Sequence, residues 1–181
     1  MKKSNQNITV LFGGLSSEKE ISIKSAMEII PVLSNKYRVD LVELNFSNFS
    51  NFVNQIKYGS LVFNALHGGE GENGQIQAFL SQHGILYTGS GQMASTLAMN
   101  KHHTKIIASY NNISTPDWIC FDINSIDAKK ISAEKKINYP LVVKPNFQGS
   151  TLGLTIVHNK EDLKNAIKSA SKFSDEIIIE K

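Results

Sequence analysis

Four short apolar runs, Ile8–Phe12, Val39–Leu44, Leu61–Leu66 and Ile85–Thr88, alternate with helical or turn-rich stretches over the first half of the chain. Strands that alternate with helices at this spacing form βαβ units, and βαβ units make a parallel sheet with ligands at the carboxyl ends of its strands. Gly13-Gly14 ends the first run. Ser17 to Glu20 then fits a capping box, Ser-x-x-Glu, opening a helix with Ile21, Ile23, Met27, Ile30 and Leu33 as its apolar positions. Pro31 is expected to kink or end that helix early. Asn45–Asn54 reads as a loop with a short helix, and a further helix is expected from Gln75 to Gln82.

The second half reads differently. Gly89-Ser90-Gly91 opens one long helix through Met93, Leu97, Lys101 and Ile107, which Asn111-Asn112 and Thr115-Pro116 end. A strand follows at Trp118–Phe121, then a lysine-rich amphipathic helix over Ser125–Ile137. Tyr139–Leu154 holds an apolar strand, Leu141–Val143, that ends in Lys144. A polar loop with Gly149, Ser150, Thr151 and Gly153 leads into a second strand, Leu154–Val157. An unpaired ammonium at the end of an apolar strand is costly to bury, so Lys144 calls for an anion, and a glycine-serine loop offers backbone N–H groups and hydroxyls to phosphate oxygens. An ordinary hairpin whose lysine snorkels to solvent fits the same residues. Lys160–Ser171 is amphipathic, and a last apolar strand, Ile177–Ile179, runs into Glu180-Lys181. Nothing caps that strand, so the chain is expected to be a fragment of a longer protein.

Composition removes several function classes. The net charge of the 181 residues is +3, and Arg38 is the one arginine among 19 basic residues. Readers of nucleic-acid bases favour arginine forks, so no nucleic-acid partner is expected. A single cysteine, Cys120, excludes an internal disulfide and a cysteine metal cluster. The five-residue run after Lys2-Lys3 is too short for a signal or a membrane span, which points to a cytoplasmic protein without a membrane partner.

Gly69-x-Gly71-x-x-Gly74 is a literal G-x-G-x-x-G, but the window near Ser90–Leu97 lacks the acidic residue that a ribose requires. Glu70 and Glu72 would also set carboxylates beside a pyrophosphate, so the dinucleotide reading is disfavoured. Gly89-Ser90-Gly91-x-x-Ala94 is a weaker near-match, and no P-loop occurs. His67, at the end of the third strand, suits either a ligand contact or a plain turn. Glu18, in the first helical turn, suits either a dipole-stabilising carboxylate or an anchor for a substrate ammonium. His102 and His103, adjacent on a helix, diverge and cannot share one metal. His83 and His158 read as surface residues.

Five blocks taken together are more specific. Gly13-Gly14-x-Ser16-x-Glu18-x-Glu20-x-Ser22 is followed by Leu66-His67-Gly68-x-x-Gly71-Glu72-x-Gly74. Tyr87-x-Gly89-Ser90-Gly91-x-x-Ala94-Ser95 comes next, with Met99-x-Lys101. Val143-Lys144-Pro145 with Gly149-Ser150-x-x-Gly153, and finally Ile179-Glu180-Lys181, complete the series. In order and spacing, the series resembles the D-alanine–D-alanine ligases, which are ATP-grasp enzymes. The resemblance implies an α/β chain: a Rossmann-like, parallel-sheet pre-ATP-grasp domain over residues 1–88, then the first α+β subdomain of an ATP-grasp fold over 89–181, truncated. It implies that Glu18 holds the ammonium of the first D-alanine, that His67 lies near its carboxylate and that Ser150 orients this subsite. Glu18 and Ser150 would then serve catalysis. It implies ATP contacts from Lys101, Lys144, Gly149, Ser150, Thr151, Glu180 and Lys181. Leu15, Asn73, Asn100 and Phe147-Gln148 depart from the family pattern; the last pair replaces a usual Arg-Glu before the loop glycine.

The resemblance also implies the reaction. One D-alanine carboxylate attacks the γ-phosphate of ATP to give an acyl phosphate, and the amine of a second D-alanine displaces phosphate to form the dipeptide of peptidoglycan precursors. Mg²⁺ or Mn²⁺ is the implied cofactor, with no ligands in this chain and all of them expected beyond residue 181. The fragment alone is therefore expected to be inactive, and the full-length protein to be a homodimer. Another ATP-grasp carboxylate–amine ligase, a D-lactate or D-serine ligase, and a non-catalytic nucleotide-binding fragment stay open as alternatives.

Overall fold

The computed structural model describes residues 4–124 and 138–181. The chain divides into two compact units, Met1–Thr96 and Leu97–Lys181. The helix expected over Ser125–Ile137 lies outside the described residues.

In the first unit, β1 (Asn7–Gly13), β2 (Arg38–Leu44) and β3 (Leu61–Asn64) form a parallel sheet in the order β2-β1-β3. The most apolar run takes the centre, and Val10 and Leu11 are wholly buried there. Successive β1 side chains point to opposite faces, so each face has a core. Val10 and Phe12 pack with Ala26, Ile23, Ile30 and Leu33 of α1 (Lys19–Ser34) on one side. On the other, Leu11, Val42, Leu44 and Val62 meet Phe52 of a 3₁₀ turn and Ile76 and Leu80 of α3 (Gln75–Gln82). A single turn, α2 (Gly69–Glu72), links β3 to α3.

Three expectations change. The capping box does not form: Glu18 takes the N-cap position without a side-chain cap, and the Ser16 hydroxyl accepts its N–H at 3.1 Å. Pro31 does not end α1, which continues to Ser34. The carbonyl that proline deprives of a partner belongs to Met27, on the exposed face, where water can serve it. Ile85–Thr88 forms no regular strand. It meets β3 through one parallel bridge, Val62 to Tyr87, with hydrogen bonds from the Val62 N–H to Leu86 O and from the Thr88 N–H to Val62 O.

In the second unit, β4 (Trp118–Asp122), β5 (Leu141–Pro145), β6 (Thr155–Val157) and β7 (Glu176–Glu180) form an antiparallel sheet in the order β4-β7-β5-β6. Ile177, Ile178 and Ile179 fill its buried centre. Leu141, Val143 and Val157 pack with Ala166 and Ala170 of α6 (Lys160–Ala170). Asn159 caps α6 by accepting the Asp162 N–H, with Glu161 and Asp162 in the first turn and Lys168 in the last. The expected single long helix is two, α4 (Gln92–Met99) and α5 (Lys101–Tyr110). Asn100 leaves helical geometry at φ −81°, ψ 99° and caps α5 by accepting the His103 N–H at 2.9 Å.

Candidate active site

In the first unit the carboxyl ends of β1 and β3 lie side by side, with Leu11 opposite Asn64. Two loops leave from there and are stitched together by short polar side chains. The Ser22 hydroxyl accepts the Gly13 N–H at 2.9 Å and donates to Ala65 O at 2.8 Å. Ser16 donates to His67 O at 2.8 Å, and the buried Glu70 carboxylate accepts the Leu15 N–H. Glu70, one of the two acidic residues that argued against a dinucleotide site, is thus a backbone brace.

Glu18 and His67 sit on these two loops. The Glu18 carboxylate lies so close to Gly68 that a Cβ there would be 2.3 Å from Glu18 Oε2; Gly68 also takes φ +64°. Among the described residues no donor is paired with that carboxylate. The His67 ring bonds Ser25 Oγ through Nε2 at 2.9 Å, and its Nδ1 is 3.9 Å from Glu72 Oε1. Glu18 therefore has free acceptor oxygens, whereas His67 has a positioned ring.

In the second unit Lys101, Lys144 and Glu180 come together. Lys101, the first residue of α5, donates its ammonium to Asn146 O at 3.2 Å and to Gln148 O, both at the root of the β5–β6 loop. Burial lowers its pKa, the charge of Lys144 lowers it further, and Glu180 opposes both. Lys144, whose side chain is 19% exposed, pairs with Glu180 Oε1, while Glu180 Oε2 is 3.0 Å from the ammonium of Lys105. Burial alone would raise the Glu180 pKa; the hydrogen bonds and charges of Lys144 and Lys105 outweigh it and hold the carboxyl below its ordinary value. The β5–β6 loop carries Gly149, Ser150 and Thr151, with Ser150 exposed at the left-handed φ of 53°. Gly153 is needed for close approach, since a Cβ there would lie 2.8 Å from both Phe173 and Pro145. Gln148, where a charged pair was absent from the sequence, donates to Phe173 O at 3.2 Å. The Lys181 N–H donates to Asp117 O, and its side chain is exposed.

Two residues of this arrangement escaped the sequence reading. Asn146 is fully buried and accepts the His102 N–H while its Nδ2 donates to Asn100 Oδ1 at 3.1 Å and to Glu176 Oε2 at 2.7 Å. It follows Lys144-Pro145 directly, a position that was its only signal. Lys105 had none, because its partner Glu180 is remote in sequence. Among the described residues no group of three or more His, Cys, Asp or Glu is placed to hold a metal ion.

A parallel-sheet unit followed by an antiparallel sheet with a lysine-bearing hairpin is the amino-terminal architecture of an ATP-grasp enzyme. Residues 107–181 match the family model described as D-ala D-ala ligase C-terminus. Over 175 residues, 96% of the chain, the sequence is 36% identical to the D-alanine–D-alanine ligase of Bacillus anthracis and covers 56% of that protein. A crystal structure of the D-alanine–D-alanine ligase from Bacillus anthracis matches with a TM-score of 0.86 at 36% identity, over 97% of this chain and 57% of that one. A second, complexed with ATP, matches with a TM-score of 0.82 at 35% identity, over 97% and 58%. Over nearly its whole length the chain is similar to the D-alanine–D-alanine ligases. It spans about half the length of the curated relatives it matches.

Proposed function

We propose that the full-length protein joins two D-alanines into D-alanyl-D-alanine at the expense of ATP, through an acyl phosphate, to supply peptidoglycan precursors. This chain contributes the ammonium-binding part of the first amino-acid subsite and a grip on the ATP phosphates. The observation that carries the reading is the charge imbalance at the root of the β5–β6 loop. Lys101, Lys105 and Lys144 gather around one carboxylate, Glu180, and among the described residues Lys101 donates only to carbonyls. A partly buried ammonium in that position is relieved by a polyanion. The likeness to a ligase solved with ATP supports ATP as the polyanion.

The roles follow from the chemistry. Lys101 and Lys144 neutralise charge on the phosphates, and Gly149, Ser150 and Thr151 close over them with N–H and hydroxyl donors. Glu180 and Lys181 begin the adenine pocket. Glu18 holds the ammonium of the first D-alanine, His67 lies near its carboxylate and Ser150 orients it. Mg²⁺ or Mn²⁺ would supply further neutralisation of charge at the phosphates, and its carboxylate ligands would come from outside the residues described. No described helix is long and apolar enough to cross a membrane. We place the protein in the cytoplasm, as a homodimer.

Phosphate release by the full-length protein tests the reading. D-Alanine alone should support ATP- and Mg²⁺-dependent release with formation of the dipeptide. Release only when D-lactate or D-serine is added would move the protein to a different ligase, and ATP binding without turnover on any of these would make it a nucleotide-binding protein.

A further inference from the structure

We infer that Lys105 is a positioning residue for nucleotide binding: it retains the Glu180 carboxylate, so that Lys144 can exchange Glu180 for a phosphate. The inference rests on the ATP-dependent function proposed above.

The two lysines on Glu180 are held very differently. Lys105 has a side chain only 9% exposed, and three acceptors take up the three donors of its ammonium. They are Thr115 Oγ1 at 2.8 Å, Pro116 O at 2.9 Å and Glu180 Oε2 at 3.0 Å. Its ammonium also lies 5.1 Å from the centre of the Trp118 ring. That ring is fixed in turn, because its Nε1–H donates to His102 Nδ1 at 2.8 Å. Trp118 stands opposite Glu180 in the pairing of β4 with β7. Lys144 has the single partner Glu180 among the described residues and is twice as exposed.

The consequence is an ordered exchange. When a phosphate approaches, Lys144 gives up one hydrogen bond and gains another to a more highly charged anion. Glu180 meanwhile keeps a charged partner and does not become an unpaired carboxylate in a partly buried place, which would be costly. Without Lys105, Lys144 would be the one ammonium paired directly with Glu180 among the described residues, and Glu180 would compete with the nucleotide for it. Lys105 thus acts on ATP through Glu180 without touching ATP.

A double-mutant cycle on the full-length protein, read as the ATP dissociation constant by calorimetry, tests this. Lys105→Met should weaken ATP by at least about tenfold, the scale of one charge-assisted hydrogen bond. In a Glu180→Gln background the same substitution should cost less than about threefold, because the carboxylate that competes for Lys144 is gone. An equal loss in both backgrounds, or an unchanged ATP constant in Lys105→Met, would overturn the inference. If Lys105→Met does not fold, Thr115→Val loosens Lys105 more gently. It should weaken ATP in the wild-type background and not in Glu180→Gln, and no difference between backgrounds would again overturn the proposal. Failure of the wild-type protein to bind ATP would instead remove the functional reading on which it rests.

Discussion

Glu18 and Glu180 are both partly buried carboxylates, and their surroundings set them apart. Glu18 lies against Gly68 with no donor paired to it among the described residues, whereas Glu180 divides its oxygens between two ammonium groups. A free carboxylate can take up a substrate cation. If the proposed function holds, Glu18→Gln should therefore raise KM for the first D-alanine by about tenfold, the scale of a charge-assisted hydrogen bond, with KM for ATP unchanged. Gly68→Ala should do the same by pushing the Glu18 carboxylate aside. Initial-rate kinetics on the full-length protein decide it, and an equal rise in both KM values would make Glu18 structural. Glu180 carries a different prediction. Its carboxyl is held below the ordinary 4.5 in the folded chain, so the stability it lends is present above that value and lost as pH falls through the lowered folded one. Lys101 cannot mimic this. Its lowered pKa means that the unfolded chain keeps that proton longer, so its contribution changes on the alkaline side and improves as pH rises. Urea midpoints measured on acidification should fall, and Glu180→Gln should flatten that fall; an unchanged slope would contradict the assignment.

At the scale of elements, the break between α4 and α5 matters most for the second unit. Asn100 Oδ1 accepts from the His103 N–H and from Asn146 Nδ2, and Asn146 joins this cap to Glu176 at the start of β7. Asn100→Ala should destabilise the unit by about 1–2 kcal/mol, the usual range for a lost N-cap. Asn100→Asp should stay near wild type, because an acceptor oxygen is all that either contact needs. Urea unfolding followed through Trp118 checks both, and equal losses would mean that the cap is not what Asn100 contributes. The break was hidden in the sequence because Met93, Leu97, Lys101 and Ile107 continue a helical spacing straight across it. The strands of both sheets were legible, since runs such as Ile8–Phe12 and Ile177–Ile179 have no other way to bury their apolar side chains. Ile85–Thr88 looked just as apolar, yet Gly84 and Gly89 confine it to a single bridge. Lys144 announced itself by ending an apolar strand. Lys105, one of several lysines along a helix, gave no sign that it is buried, because the carboxylate that makes burial tolerable arrives only with β7.

For the molecule as a whole, the two units close their cores separately. Leu80 and Phe52 complete one face of the parallel sheet, and Ile177 with Val143 and Val157 completes the antiparallel one. Trp118, the only tryptophan, lies in the second unit, so its emission reports that unit, whereas far-UV circular dichroism reports both. Leu80 and Ile177 are wholly buried, and truncating either to alanine should cost about 2–5 kcal/mol through lost burial and the cavity left behind. In this 181-residue chain, Leu80→Ala should bring a dichroism transition to lower urea and leave the fluorescence transition in place, whereas Ile177→Ala should move the fluorescence transition. Domains with their own cores unfold on their own terms unless an interface couples them more strongly than a few kcal/mol. Coincident shifts of both probes in both variants would show such coupling, and would mean that a substitution in either core weakens the proposed amino-acid subsite and the proposed phosphate grip together.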